Sequence, residues 1–143
     1  MILLDTNILS EVLRPVPDPT VEKWLDSQPD ASLFTSAITE AELYLGVALM
    51  PLGRRQAALA AAIGNILADD FAGRILPFDS PAAAAFAGVI ASRRRAGRPM
   101  SPLDAQIAAI ARSRGATLAT RNVRDFERCG INVVNPWTEA GPV

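Results

Sequence analysis

The sequence predicts an α/β protein in which a mostly parallel sheet of about five strands carries helices on both faces. Short apolar runs alternate with helical segments along the whole chain. Strands that are joined through helices need crossover connections, which make neighbouring strands parallel and cover both faces of the sheet. No internal repeat or low-complexity linker interrupts the 143 residues, a length that suits one hydrophobic core. We therefore expect a single domain over residues 1–143.

Local signals place the individual elements. Aliphatic and β-branched runs predict strands at residues 2–4, 32–35, 74–78, 117–120 and 131–134. The first strand is expected to end in a turn over residues 5–7, with a short helix over residues 8–13. Further helices are predicted where a capping side chain precedes proline, at Asp18, Asp79 and Ser101. Ser36 is expected to cap a helix that runs to about Met50, and Gly115 ends the last helix.

The composition excludes several classes of catalytic site. The chain has no histidine and one cysteine. A Ser-His-Asp triad, a Cys-His pair, an imidazole metal site, an internal disulfide and a structural zinc site are therefore excluded. Catalysis in this chain must use carboxylates, hydroxyls, amides or arginine.

The apolar stretches carry no export or membrane signal. Residues 1–5 contain no basic region and no apolar run long enough for a signal peptide. The alanine-rich stretches are short and interrupted, well below the roughly 20 apolar residues of a membrane span. These features predict a cytoplasmic protein without a membrane segment.

The net charge of −1 conceals an uneven distribution of charge. Residues 1–70 hold 10 acids and 4 bases, whereas residues 71–143 hold 5 acids and 10 bases. Arginine forms bidentate contacts with phosphates. The second half is therefore predicted to contact phosphates through Arg93, Arg94, Arg95, Arg98 and Arg121. The alternative is a solvated helix face, and the acidic first half argues against a general nucleic-acid binder.

Two acidic positions follow predicted strands. Asp5 comes directly after the first strand, where an acid either caps a helix or belongs to a site. Asn122 and Asp125 follow the fourth strand. Because the carboxyl ends of parallel strands share one edge of the sheet, where ligands bind, these side chains are expected to face one crevice.

Glu42 is predicted to lie on the buried side of its helix. At 100° per residue it falls within an apolar stripe formed by Ile38, Leu45 and Leu49, whereas Glu40 points to solvent. A buried carboxylate is costly unless it is paired, hydrogen-bonded or bound to a metal. Glu42 is therefore a candidate functional residue, with a buried ion pair or a surface position as the alternatives.

Asp104 allows two interpretations. The spacing Ser101-x-x-Asp104 fits a capping box, with the carboxylate near the positive end of the helix dipole. Asp104 also shares a helix face with Ile107, Ala108 and Ala111, at the edge of the buried side. A carboxylate at a helix start can cap the helix and coordinate a metal at once.

Together these oxygen donors predict a metal site. Asp5, Glu42, Asp104 and the turn 122–125 can converge on one crevice. Oxygen ligands without imidazole or thiolate suit Mg²⁺ or Mn²⁺. Such a cluster supports metal-assisted phosphoryl chemistry, in which the cation orients and deprotonates water.

Four motifs in this order resemble the PIN-domain family, with the closest similarity to VapC-type toxins and their FitB-like branch. They are residues 1–7 (MILLDTN), 38–43 (ITEAEL), 101–107 (SPLDAQI) and 118–126 (LATRNVRDF). The similarity extends over essentially the whole chain, to residues 135–137 (NPW). The resemblance implies a PIN-like sheet with strand order 3-2-1-4-5. It also implies an Mg²⁺- or Mn²⁺-dependent endoribonuclease that is the toxin of a type II toxin–antitoxin pair.

By this resemblance, Asp5, Glu42 and Asp104 are metal ligands and catalytic residues, and Asn122 takes a fourth catalytic position. A neutral amide attracts a cation less strongly than a carboxylate does. The resemblance is therefore compatible with either one or two bound ions. Asp125 would compensate in part. Thr6 and Thr120, beside the acids, would donate hydrogen bonds that orient the carboxylates.

The resemblance also implies partners. They are an RNA substrate, a VapB- or FitA-like antitoxin, a second copy of the chain, and a larger assembly with antitoxin on DNA. Independently, the short helices carry more apolar residues than a small sheet can cover, which predicts interaction surfaces. An antitoxin helix would occupy one groove, and its arginine or lysine would compete with the metal.

Two alternatives complete these expectations. A PIN-like scaffold or partner-binding protein with weak catalysis stays open because Asn122 is neutral. Trp24 and Trp137 are predicted to be packing residues, because neither belongs to an aromatic-plus-basic array.

Overall fold

The computed structural model describes residues 1–139, which build a five-stranded sheet with β1 at its centre. The strands are β1 (Ile2–Leu4), β2 (Leu33–Ser36), β3 (Ile75–Leu76), β4 (Thr117–Ala119) and β5 (Val133–Val134). Their order is β3-β2-β1-β4-β5, and every neighbouring pair is parallel. In this register Leu3 lies between Phe34 and Leu118. The predicted α/β class and strand order are confirmed.

Helices connect the strands, as expected for parallel pairs. They are α1 (Thr6–Val12), α2 (Pro19–Asp26), α3 (Ala37–Ala48), α4 (Arg54–Asn65), α5 (Ser80–Arg95) and α6 (Pro102–Arg114). The predicted side-chain caps at Asp18, Ser36, Asp79 and Ser101 each accept a hydrogen bond from a backbone N–H of the first helical turn. A π-helical turn, Ile66–Asp70, follows α4. Gly115 ends α6 with φ 63°, a left-handed conformation that suits glycine.

Some boundaries differ from the predicted ones. Strands β3 and β5 have two residues each, and Pro77, which lacks an N–H for the ladder, follows β3 directly. The turn predicted over residues 5–7 is absent from the structure. Instead Asp5 is the N-cap of α1, and the helix begins at Thr6, whose N–H bonds to the Asp5 carboxylate.

The predicted buried face of α3 is confirmed at Ile38, which packs against the core, and is wrong toward the C-terminal end of the helix. Leu45 and Leu49 are 56% and 77% exposed, whereas the buried residues of this helix are Thr39 and Leu43. Thr39 can be buried because its hydroxyl and its N–H are both hydrogen-bonded, to Thr6 and to Ser36. The distribution of apolar residues alone therefore does not identify which side of α3 is buried. Glu40, which was predicted to point to solvent, is half-buried.

The core lies on both faces of the sheet. Leu3 packs with α5 and α6 side chains such as Val89 and Ile107, and Leu4 packs on the other face with Ile8 and Ile63. This division follows the alternation of side chains along a strand. No helix in the described part of the chain is long and apolar enough to cross a membrane.

Candidate active site

Asp5 directly follows the central strand at the carboxyl edge of the sheet and is only 5% exposed. Its Oδ1 accepts a 2.8 Å hydrogen bond from the N–H of Thr6, and its Oδ2 accepts a 2.8 Å bond from the hydroxyl of Thr120. The side-chain amide of Asn7 lies 3.4 Å from Oδ2. The same carboxylate thus caps α1 and is held by the residue that follows β4.

Glu42 reaches the same region from α3. Its Oε1 accepts a 2.8 Å hydrogen bond from the hydroxyl of Thr6. Because the single hydroxyl proton of Thr6 is used on this carboxylate, the hydroxyl of Thr39, 3.0 Å away, donates to Thr6. A chain of two threonine hydroxyls therefore fixes one oxygen of Glu42 next to Asp5.

Asp104 enters from the first turn of α6 and is half-buried. Its N–H donates a 3.2 Å bond to the Ser101 hydroxyl, so the predicted capping arrangement is present on the backbone side. Its side chain faces the cleft that Asp5 and Glu42 also line. Capping and membership of the site are therefore compatible at this position.

The three acids line one open cleft with a volume of about 510 Å³. Within the described residues its lining is Asp5, Thr6, Asn7, Ser10, Glu11, Arg14, Glu42, Asp104, Arg121, Asn122 and Trp137. The convergence at the carboxyl edge expected from the parallel sheet is therefore what the structure contains.

Burial shifts the protonation of two of these acids. Desolvation raises the pKa of Asp5 from 3.8 to about 6; the bonds from Thr120 and Thr6 oppose this shift, and the charges of Asp104 and Glu42 add to it. Desolvation also raises the pKa of Asp104, against the effects of Ser101 and Arg93 and with that of Asp125. The cleft thus holds like charges that a cation would stabilise.

The donor set fits a hard divalent cation by chemistry. All three acids offer carboxylate oxygens, and no thiolate or imidazole lines the described cleft. No three acidic or cysteine side chains within residues 1–139 stand close enough together to form a ready metal centre.

The turn after β4 is arranged around Thr120. Its hydroxyl oxygen accepts a 3.0 Å bond from the N–H of Asn122 and a 3.2 Å bond from the side chain of Asn7. Asn122 is exposed and lines the cleft. Asp125 is exposed and does not line it, although its charge acts on the pKa of Asp104.

The predicted arginine cluster divides into different environments. Arg93 is 5% exposed, and its Nη1 donates to the backbone carbonyls of Glu127, at 2.8 Å, and Arg124, at 3.4 Å. Its prediction as a phosphate contact is wrong, because this guanidinium holds the turn after β4 inside the fold. Arg98 pairs with the Glu127 carboxylate at 2.7 Å.

The remaining predicted arginines are accessible. Arg94 and Arg95 are exposed on α5, outside the lining of the cleft. Arg121 is exposed and lines the cleft, with its guanidinium carbon 5.0 Å from the ring centre of Trp137. Trp137 packs against the edge of the core, as predicted, and its ring also forms an aromatic-plus-basic pair with Arg121, which was not predicted. Trp24 is buried in the core as predicted.

One polar stripe of the cleft is not among the residues predicted from the sequence. Asn7, Ser10, Glu11 and Arg14 line the cleft from α1 and its C-terminal end. Their spacing of three and four residues after a strand-terminal acid is the signal that would have identified them, because it places them on one helix face. Glu11 lines the cleft although it is only 4% exposed, and it is the fourth carboxylate of this lining.

A five-stranded 3-2-1-4-5 parallel sheet with an acidic cleft at its carboxyl edge is the arrangement of a PIN domain. The model of the family described as "PIN domain" matches residues 2–132. The chain therefore belongs to the PIN-domain family.

Relatives of similar length match nearly the whole chain. The sequence is 47% identical to plasmid stability protein StbB of Pseudomonas syringae pv. tomato, over 96% of this chain and 99% of that protein. It is 39% identical to VapC ribonuclease Y4jK of Sinorhizobium fredii, over 98% and 100%. It is 44% identical to toxin FitB of Neisseria gonorrhoeae, over 96% and 99%. The structure of FitAB bound to an IR36 DNA fragment matches with a TM-score of 0.91 and 42% identity, over 98% of both chains.

Proposed function

We propose that this chain, as one PIN domain over residues 1–143, is the ribonuclease toxin of a toxin–antitoxin pair. The proposal rests on one observation: a single cleft is lined by Asp5, Glu42 and Asp104. Relatives of nearly full coverage that are named as a VapC ribonuclease and as a toxin support it. Its reaction is endonucleolytic hydrolysis of RNA phosphodiester bonds, leaving 5′-phosphate and 3′-hydroxyl ends.

Asp5, Glu42 and Asp104 would hold Mg²⁺ or Mn²⁺, with Asn122 as a weaker neutral contributor. When bound, the cation orients and activates water and offsets charge that builds on the phosphate oxygens. Protein groups prepare the ligands for it. Thr120 and the Thr6 N–H fix the two oxygens of Asp5, and the Thr6 hydroxyl fixes Glu42. Such hydrogen bonds orient carboxylates and reduce the cost of ordering them.

Exposed arginines would bring RNA to the acids. Arg121 lies in the cleft, while Arg94 and Arg95 are free on the surface of α5. Arg98 would contribute after release from Glu127. Phosphate contacts of this kind weaken as salt rises and do not depend on base sequence.

An antitoxin partner fits an apolar groove beside the cleft. This groove, of about 540 Å³, lies between α1, α3 and α4 and includes Leu13, Leu43, Val47, Leu59 and Ile63. Thr6, Ser10, Arg14 and Glu42 line both the groove and the acidic cleft. An amphipathic antitoxin helix lying in the groove would therefore bring a basic side chain within reach of the acids, where it would compete with the cation. The neighbouring FitAB complex supports this assembly and its binding to DNA.

A second copy of the chain would cover the exposed apolar side of α3. Tyr44, Leu45, Leu49 and Leu52 are at least half exposed on and just after this helix. A two-fold pair can bury such a patch against itself. Light scattering should then give twice the 15.2 kDa chain mass, and Leu45→Glu with Leu49→Glu should give the monomer. An unchanged mass in this variant would place the dimer contact elsewhere.

The decisive experiment combines metal removal with one substitution. Purified wild-type protein should cleave cellular RNA in Mg²⁺, stop in excess EDTA, and resume when Mg²⁺ is restored. Asp5→Asn should lose cleavage, whereas Glu40→Gln, the same acid-to-amide change in the first turn of α3 and outside the lining of the cleft, should retain it. Cleavage that persists in EDTA would refute the metal-dependent mechanism.

The alternative is a PIN-like scaffold with weak catalysis, which the neutral Asn122 favours. A scaffold would form the antitoxin complex but leave RNA intact under every metal condition. Sequencing of the 5′ ends of RNA fragments after brief expression would decide between the two and would also identify the RNA that is cut.

A further inference from the structure

Four residues at one side of the cleft form a connected series of contacts that the metal-ligand carboxylates do not share. Arg14 and Trp137 each donate a hydrogen bond to Glu11, and the Arg121 guanidinium lies over the ring of Trp137. All four line the cleft that contains Asp5. We call these four residues the arginine wall.

Glu11 joins Arg14 to Trp137 within the arginine wall. Its carboxylate accepts bonds from Nη1 of Arg14, at 2.9 and 3.2 Å, and from Nε1 of Trp137, at 3.3 Å. A carboxylate that is 4% exposed needs such partners, because a buried charge without them is costly. Both Glu11 oxygens are therefore occupied, and this acid orients Arg14 in preference to binding a cation.

The two guanidinium groups remain available on their outer sides. The Arg14 side chain is 63% exposed, and within residues 1–139 only its Nη1 is hydrogen-bonded. Arg121 lies with its guanidinium over the Trp137 ring. Cation–π contact uses the face of a guanidinium and leaves its in-plane N–H groups free for an anion.

The acidic lining of the cleft requires basic groups if a polyanion is to enter it. Asp5, Glu11, Glu42 and Asp104 all line the cleft, and a polyanion would be repelled from it. Arg14 and Arg121 are the basic residues of its described lining. Their fork geometry matches phosphate oxygens, and their fixed partners reduce the entropy lost on binding.

We propose that the arginine wall binds RNA phosphates next to the one presented to the acids, and so sets where the strand lies in the cleft. The inference rests on the proposed ribonuclease function and adds Arg14, Glu11 and Trp137 as residues that bind or position the strand. Arg14 and Arg121 would contact phosphates. Glu11 and Trp137 would be positioning residues.

Binding of a labelled RNA tests the proposal. All variants are made in the Asp5→Asn chain so that the RNA stays intact, and the probe is a fluorescent random-sequence RNA of about 16 nucleotides. Fluorescence anisotropy is measured in Mg²⁺ over a series of salt concentrations. Arg14→Ala, Arg121→Ala and their combination are compared with Arg54→Ala, which removes an exposed arginine at the start of α4, outside the cleft.

Each wall substitution should weaken binding about five- to tenfold at low salt. It should also reduce the slope of log affinity against log salt by ~0.7, the value for one phosphate contact on a single strand. Arg121→Lys should keep the salt slope, because it keeps the charge. It should still lower the affinity, because an ammonium group cannot form the two parallel hydrogen bonds of a guanidinium. Trp137→Leu should weaken binding through Arg121 and, by removing the bond from Nε1 to Glu11, also through Arg14, so its effect should be smaller but still present once Arg121 is alanine.

Two outcomes would overturn the inference. Unchanged affinity and slope in the double variant would remove the phosphate contacts, and an equal loss in Arg54→Ala would reduce them to overall charge. Failure of the proposed function has a different signature, since the chain with Asp5 intact would then leave RNA uncut in Mg²⁺ whatever the wall variants bind.

Discussion

The hydroxyl of Thr120 donates a 2.8 Å hydrogen bond to Oδ2 of Asp5, which joins the carboxyl ends of β4 and β1. The two residues follow the paired positions Leu4 and Ala119, so the parallel register itself brings them together. The same hydroxyl oxygen accepts from the N–H of Asn122. One threonine therefore links the central acid to the turn that carries the fourth predicted position.

Thr120→Val should weaken Mg²⁺ binding about 10- to 100-fold, the usual cost of losing a partner that orients a metal ligand. Valine keeps the shape of the side chain but cannot donate to Asp5. Isothermal titration with Mg²⁺ measures the effect. Thr120→Ser, which keeps the hydroxyl, is the control, and equal affinities in the two variants would contradict a role for this bond.

The metal-free protein should lose stability as the pH rises from about 4 to about 6. The pKa of Asp5 is about 6 in the folded chain and 3.8 as its ordinary value, so the folded state binds more protons in this window. The loss amounts to roughly 3 kcal/mol at most. Urea unfolding in EDTA at several pH values measures it. Asp5→Asn should show a flatter dependence, and stability that rises through this window would refute the shift.

Mg²⁺ affinity should fall as the pH drops below about 6, because a proton on Asp5 competes with the cation. Burial also raises the pKa of Asp104, which adds to the competition. Titrations with Mg²⁺ between mildly acidic and neutral pH test this expectation. An affinity that is independent of pH across that range would exclude Asp5 from the ligand set.

Asn122→Asp should increase Mg²⁺ affinity, since a carboxylate replaces a neutral amide on the lining of the cleft. Without metal, the same change should lower thermal stability slightly because it adds a like charge beside Asp5 and Asp104. Melting curves with and without Mg²⁺ record both effects. Asn122→Ala is the matched control, and equal metal-induced shifts in the two variants would show that this position does not contact the ion.

Arg93→Met should destabilise the fold by ~2 kcal/mol or more, because it removes the donor to two backbone carbonyls of the turn after β4. Arg94→Met, on the exposed side of the same helix, should change stability by less than about 0.5 kcal/mol. Chemical denaturation compares the two. Similar stabilities would contradict the structural role of Arg93.

Much of the site could be predicted from local sequence because parallel strands bring their carboxyl ends to one edge. Asp5 after the first strand and Asn122 after the fourth were expected there for this reason, and both line the cleft. Glu42 also lines the cleft as predicted, although the apolar stripe that pointed to it is not buried along its whole length. Leu45 and Leu49 are exposed, and the helix buries Thr39 instead.

Side chains whose environment depends on distant residues could not be predicted. Arg93 belongs to a run of three arginines that has the pattern of a solvated face, but it is buried against carbonyls more than 30 residues away in sequence. Trp137 has no basic neighbour in its own segment, and it meets Arg121 only because β4 and β5 pair. The position of Glu11 in the cleft could not be predicted for the same reason, since its partner Trp137 is 126 residues distant in sequence.

Local sequence is sufficient to predict the α/β class, the helix caps, the exclusion of imidazole chemistry and the acids at the strand ends. These follow from local rules, because caps, strand runs and helix starts depend on residues within a few positions of one another. The tertiary structure alone decided which arginines face solvent, which side of α3 is buried, and how the cleft is completed by Glu11, Arg14 and Trp137. Those outcomes depend on hydrogen bonds and packing between elements far apart in the chain, which no local pattern encodes.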